Sequence, residues 1–141
     1  MMAEEIFSLI KKHVVIPVIA IDAVESAIAL ADALIAGGLP VAEITFRTAA
    51  AAAVITKLAK ERPQLILGAG TVLTKDNLKA AVEAGARFGV APGLNPDIVT
   101  EAARLGLPFV PGIVTPSEVE QALSMGCTLL KFFPAEANGG V

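Results

Sequence analysis

Short apolar runs recur along the chain, at VVIPVIAI (14–21), VAEITF (41–46), LILGAG (65–70), RFGVAP (87–92), PFVPGI (108–113) and TLLKFFP (128–134). Each lies roughly 20 to 25 residues after the last, a spacing that suits a strand, a loop and a short helix. The segments between them are alanine-rich and carry helical start and stop signals. Asp22 with Glu25 predicts a capping box opening AVESAIALADALIA, which Gly37 and Gly38 close. Asn95-Pro96 and Thr115-Pro116 each supply an N-cap with proline at the first helical position, and Glu118 completes a second box. Gly85, Gly106 and Gly126 fall where C-terminal caps belong, and AAAAA at 49–53 is a good helix former. Repeated strand–helix units with doubly buried strands predict an α/β fold on a parallel sheet. Six units are counted. A closed eight-stranded barrel needs two more, whereas an open doubly wound sheet is complete with six, so counting leaves both open.

Alternation along two of the runs separates polar from apolar positions. In VAEITFRT the period of two puts Val41, Glu43, Thr45 and Arg47 on one face and Ala42, Ile44 and Phe46 on the other. In LLKFFP it groups Leu129, Lys131 and Phe133 against Leu130 and Phe132. If the wholly apolar faces meet the helices, Glu43, Arg47 and Lys131 point into a barrel or along the crevice of an open sheet. One reading is a structural ion pair between Glu43 and Lys131 with Arg47 on the rim, although desolvation often exceeds the Coulombic gain of such pairs. The other makes Lys131 an amine nucleophile. A lysine at its reference pKa is well under roughly 0.1% neutral at pH 7, so attack on a carbonyl requires desolvation or a neighbouring cation to free the nitrogen. An apolar strand with Arg47 nearby offers both.

Composition narrows the classes. The 141 residues make one domain, 1–141, and are too few for two. Hydrophobic residues reach 55% and mean hydropathy is +0.70, rich enough to imply elements buried on both faces or a subunit interface. No uninterrupted apolar window has the length of a membrane span, so no membrane partner is expected. MMAEEIFSLIKKHVV places acidic residues before its apolar stretch and has no small-residue cleavage site, which argues against a signal peptide and for a cytoplasmic location. Net charge −3 has the wrong sign for nucleic acid. The chain has one cysteine and one histidine. Cys127 reads as a small core residue and His13 as a solvated helix-end residue, and they form no zinc-type cluster, so no metal or cofactor is expected. GAGTV (68–72) fails the dinucleotide pattern at Leu73 and reads as a strand end with unusual backbone angles or a place where a ligand comes close. VAPGLNP (90–96) reads as a strand-to-helix turn.

Taken together, EITFRT, GAGTVL, APGLNP, PFVPGIVTPSE and LLKFFPAEANGGV resemble the 2-keto-3-deoxy-6-phosphogluconate (KDPG) and 4-hydroxy-2-oxoglutarate aldolase family, class I aldolases that work through a Schiff base. The likeness runs along essentially the whole chain in order. It implies a (β/α)8 barrel, commonly trimeric, of which this chain carries six units. Units seven and eight, with the loops that in phosphate-binding barrels grip the substrate phosphate, are then expected to be missing, leaving strands one and six with unpaired edges. The implied reaction cleaves a six-carbon 2-keto-3-deoxy-6-phosphosugar acid to pyruvate and glyceraldehyde 3-phosphate. By the same resemblance Lys131 forms the iminium, Glu43 is the base, Arg47 and Thr71 hold the pyruvate carboxylate, and Pro92 and Phe133 line the pocket. The implied partners are a keto acid and either further copies of the chain or a complementing C-terminal segment. A non-catalytic fragment or scaffold associating through its open edges is the first alternative. A phosphate-binding barrel enzyme in which Lys131 serves only as an ion-pair partner is the second.

Overall fold

A computed structural model describes residues 3–140. Helix α1 (Ala3–His13) leads into β1 (Val18–Ile19), and then helices and strands alternate: α2 (Ala27–Ala36), β2 (Val41–Thr45), α3 (Ala51–Glu61), β3 (Ile66–Gly70), α4 (Lys75–Ala84), β4 (Phe88–Val90) and α5 (Pro96–Leu105). The fifth apolar run forms two short strands, β5 (Phe109–Val110) and β6 (Gly112–Ile113), followed by α6 (Pro116–Ser124) and β7 (Lys131–Phe132). All pairings are parallel, in the order β1-β2-β3-β4-β5 and then β6-β7.

The break in the fifth run falls at Pro111, which has no N–H to give a ladder. Its carbonyl is still used, accepting from the Lys131 N–H at 2.9 Å. The run thus passes from β4 on one side of the proline to β7 on the other. The sixth run is also shorter than its apolar pattern, with two residues of strand instead of seven. Among the described residues β1 pairs with β2 alone and β7 with β6 alone, so each presents one unpaired edge.

The period of two sorts the strands' side chains into two cores. Ala42, Ile44, Leu67 and Ala69 pack outward against Val54, Ile55 and Leu58 of α3, Leu78 and Ala81 of α4, and Ala102 of α5. Val41, Ile66, Phe88, Val90 and Val110 face inward and meet Ile6, Phe7 and Ile10 of α1. Helix α1 is therefore a floor under the barrel interior. Its register, EEIFSLIKKH, places Ile6, Phe7 and Ile10 on one helical face. Leu129 joins the inner core and Leu130 the outer one, as the alternation in LLKFFP requires.

Most caps form as expected. The Asn95 side chain accepts from the Asp97 N–H, the Thr115–Glu118 box is complete, and Gly85 and Gly106 end α4 and α5 in left-handed conformations. The box expected at Asp22 and Glu25 does not form. A 3-10 turn over Val24–Ser26 comes first and α2 begins at Ala27, too late for Asp22 to cap it.

The glycines of β3 answer a demand for space. A Cβ at Gly68 would overlap the ring of Phe88, which is 1% exposed. We expect Gly68→Ala to cost about 1–3 kcal/mol through overpacking. The same substitution in a Phe88→Leu background should cost clearly less, and a double-mutant cycle by urea unfolding checks this. Equal costs in the two backgrounds would show that the ring is not what the glycine accommodates.

Candidate active site

β2 is buried on both faces, and its central residue is a glutamate, Glu43, only 4% exposed. Its register sets it between Val18 of β1 and Gly68 of β3. Period-two geometry turns it inward, where it lines a cavity of about 410 Å³ together with Phe88, Val90, Val110, Leu129 and Lys131. Ile10, Lys11 and Val14 bound the same cavity from below and Val18 from the β1 edge. Burial pushes the Glu43 carboxyl above its ordinary value of 4.5, opposed by the positive charges of Lys131 and Arg47.

Lys131 reaches this cavity from the other end of the strand order. Its backbone is held by the Pro111 carbonyl, in register with Gly112. The amine does not form an ion pair with Glu43 within 4.0 Å; it lies 4.7 Å from the centroid of the Phe133 ring, two residues on along the same strand face. The direct ion pair that one of the two readings of the sequence offered does not form, and the two groups interact across the cavity at longer range.

Arg47 follows β2 in an exposed loop. Two hydrogen bonds tie that loop down: the Thr48 hydroxyl donates to the carbonyl of Ile21, just after β1, at 2.8 Å, and the Phe46 N–H donates to the carbonyl of Gly70, at the end of β3, at 2.8 Å. Between them Arg47 is kept close enough to act on Glu43 electrostatically. Thr71, directly after β3, has φ +54°. The unusual angle expected in GAGTV therefore falls on the threonine, while Gly70 makes room for Glu43, since a Cβ there would overlap the Glu43 carboxylate.

The remaining expected residues divide. Phe133 underlies the amine but is 38% exposed and does not line the 410 Å³ cavity. Pro92 borders a separate hollow of about 240 Å³ with Val72, Leu94 and Phe109, in the turn between β4 and α5. Glu43 and Lys131 thus line one cavity, Arg47 acts on Glu43 electrostatically from the exposed loop, and Pro92 lies apart from their cavity. The α1 floor and the inward Phe88, Val90 and Val110 went unremarked in the sequence. The helical spacing of IFSLI and the alternation of RFGVAP and PFVPGI carried that signal. Among the described residues no cluster of three His, Cys, Asp or Glu side chains could hold a metal ion, and no helix is long and apolar enough to cross a membrane.

Comparison with known proteins fits this geometry. The family model for KDPG and KHG aldolases matches residues 6–141. A 2-dehydro-3-deoxy-phosphogluconate aldolase of Treponema pallidum is 46% identical over 135 residues, covering 96% of this chain and 64% of its own. The enzyme of the same name from Haemophilus influenzae is 46% identical over 138 residues, covering 98% and 65%. The structure of a KDPG aldolase from Legionella pneumophila, with pyruvate captured at low pH as a covalent carbinolamine intermediate, superposes with a TM-score of 0.86 at 41% identity, over 89% of this chain and 61% of that one. The chain spans a little under two thirds of the length of these relatives. A family model matched over residues 6–141 and relatives 46% identical along nearly the whole chain place this protein in the KDPG and KHG aldolase family.

Proposed function

We propose that the chain carries the chemistry of a class I aldolase acting on a 2-keto-3-deoxy-6-phosphosugar acid, with Lys131 as nucleophile and Glu43 as base. The observation that carries this reading is that both groups line one apolar cavity without neutralising each other. The Lys131 nitrogen adds to the C2 ketone to give a carbinolamine, which loses water to form an iminium. Glu43 then takes the C4 hydroxyl proton, directly or through water, as the C3–C4 bond breaks. The electron pair of that bond becomes the C2=C3 bond of an enamine, and the iminium nitrogen accepts the displaced pair. Protonation at C3 and hydrolysis return the lysine and release pyruvate. Arg47 and Thr71 stand at the strand ends where they would receive the keto acid's carboxylate, and a guanidinium fork suits that planar anion. Phe133 supports the amine from beneath.

A second reading, association through open edges, is favoured by the exposed apolar side chains Val14, Val18 and Phe132 beside β1 and β7. Further copies of the chain, as in a trimer, or a complementing C-terminal segment are the proposed partners. Sedimentation of the purified chain should show concentration-dependent self-association, and a stable monomer at all concentrations would count against this reading.

Incubation with pyruvate and borohydride, followed by mass spectrometry, separates the two readings. An adduct is expected on Lys131, and none in Lys131→Ala. Glu43→Gln should retain adduct formation while aldol cleavage slows by roughly 10²–10⁴. Arg47→Ala should mainly weaken pyruvate binding. No adduct in the folded parent chain would remove the aldolase reading, and full cleavage in Glu43→Gln would remove Glu43 as the base.

Glu43 also makes stability depend on pH. Its folded value lies above the unfolded one, so folding takes up a proton between them, and stability falls as pH rises through that window. Glu43→Gln cannot ionise and escapes the loss. In urea melts from pH 4 upward, the midpoint of Glu43→Gln should gain steadily on that of the parent and level off once the folded carboxyl is ionised. A constant difference would mean that burial does not raise this carboxyl.

A further inference from the structure

We infer that Gly70 is a positioning residue for the Glu43 carboxylate: lacking a side chain, it leaves on the inner face of β3 the space in which that carboxylate rests. The inference rests on the reading of Glu43 as the base. Registers are Glu43 with Gly68 and Thr45 with Gly70, so the two glycines lie on the same inner face of β3. The Phe88 ring takes the space over Gly68, and the Glu43 carboxylate reaches one level further, over Gly70. A Cβ built at Gly70 overlaps Oε1 of Glu43 and lies 2.7 Å from its Cδ and Cγ.

Nothing in the Gly70 backbone calls for glycine. It is paired as ordinary strand with Thr45, its carbonyl accepts from the Phe46 N–H at 2.8 Å, and the left-handed residue is the next one, Thr71. Room is therefore what glycine supplies, and the group that uses the room is the carboxylate. Phe88 takes the neighbouring space over Gly68, so an added methyl would push Glu43 toward the middle of the cavity that Lys131 also lines and that the keto acid would occupy.

A displacement of about 1 Å in a reacting geometry costs on the order of 100-fold. The step most exposed to it needs only pyruvate. From the iminium on Lys131, Glu43 takes a proton from C3. The C3–H pair becomes the C2=C3 bond of the enamine, and the C=N π pair returns to nitrogen. In D₂O, reversal delivers deuterium to C3.

The test follows methyl deuteration of pyruvate by NMR alongside borohydride trapping on Lys131. Gly70→Ala is expected to keep the adduct while exchange falls about 100-fold. Adding Glu43→Asp, one methylene shorter and clear of the new methyl, should raise exchange above that of Gly70→Ala alone. A purely structural role for Gly70 predicts no such rescue. Unchanged exchange in Gly70→Ala, or no recovery in the double variant, overturns the inference. A second measurement does not depend on catalysis: Gly70→Ala should lower the urea midpoint of the parent but hardly that of Glu43→Ala. Equal losses in both backgrounds overturn the inference whether or not pyruvate reacts. A chain that forms no adduct but shows this coupling loses the aldolase reading and keeps the steric one.

Discussion

A carboxylate enclosed in an apolar barrel is the constraint around which the site is arranged. Water cannot solvate Glu43 well at 4% exposure, and among the described residues no side chain forms an ion pair with it within 4.0 Å. The fold meets this cost with space and with distant charge. Space comes from β3, which gives up two side chains in a row on its inner face, one for the Phe88 ring and one for the carboxylate. Charge comes from Lys131 across the cavity and Arg47 at the strand end, each of which favours the ionised form without touching it. Burial still outweighs both, which leaves a carboxyl readier than an ordinary glutamate to hold a proton.

Sequence reasoning reached the site through periodicity. Alternation in VAEITF and LLKFFP was enough to turn Glu43 and Lys131 to the same side, because a strand buried on both faces leaves side chains two directions and no others. What it could not reach depends on groups far apart in the chain. The glycines of LILGAG are explained by Phe88 and Glu43, 20 and 27 residues away from Gly68 and Gly70. Pro111 lies in the middle of an apolar run, and only the pairing of Val110 with β4 and of Gly112 with β7 shows that the run is two strands. Asp22 has the right spacing from Glu25 for a cap, but the 3-10 turn at Val24–Ser26 takes up the residues a cap would have used. The α1 floor was legible in the apolar face of EEIFSLIKKH, yet its partners, the first inward residues of β2, β3 and β4, could be named only once the strands were in register.

The separation of amine and carboxylate matters for what each can do. A direct salt bridge would hold the lysine as an ammonium and the glutamate as its counter-ion, fixing both in the state least useful for attack on a ketone. At longer range, with the amine over the Phe133 ring and the carboxylate over Gly70, the cavity between them is left for an occupant. Apart from Lys11 and the two groups themselves the cavity lining is apolar, so the field each charge exerts on the other is less screened than in bulk water.

That field also predicts how the site responds to the chemistry proposed for it. In the proposed chemistry the protonated iminium on Lys131 carries one positive charge, so Glu43 would face a cation there after the covalent step. Arg47 behaves differently, since a carboxylate drawn to its guanidinium would cancel much of its effect on Glu43. Burial already raises the Glu43 carboxyl against Lys131 and Arg47; with Arg47 neutralised and water displaced from the cavity, it would move further in that direction. On the proposed reaction, binding of the keto acid would thereby make Glu43 a stronger base at the stage when a C4 hydroxyl proton has to be removed.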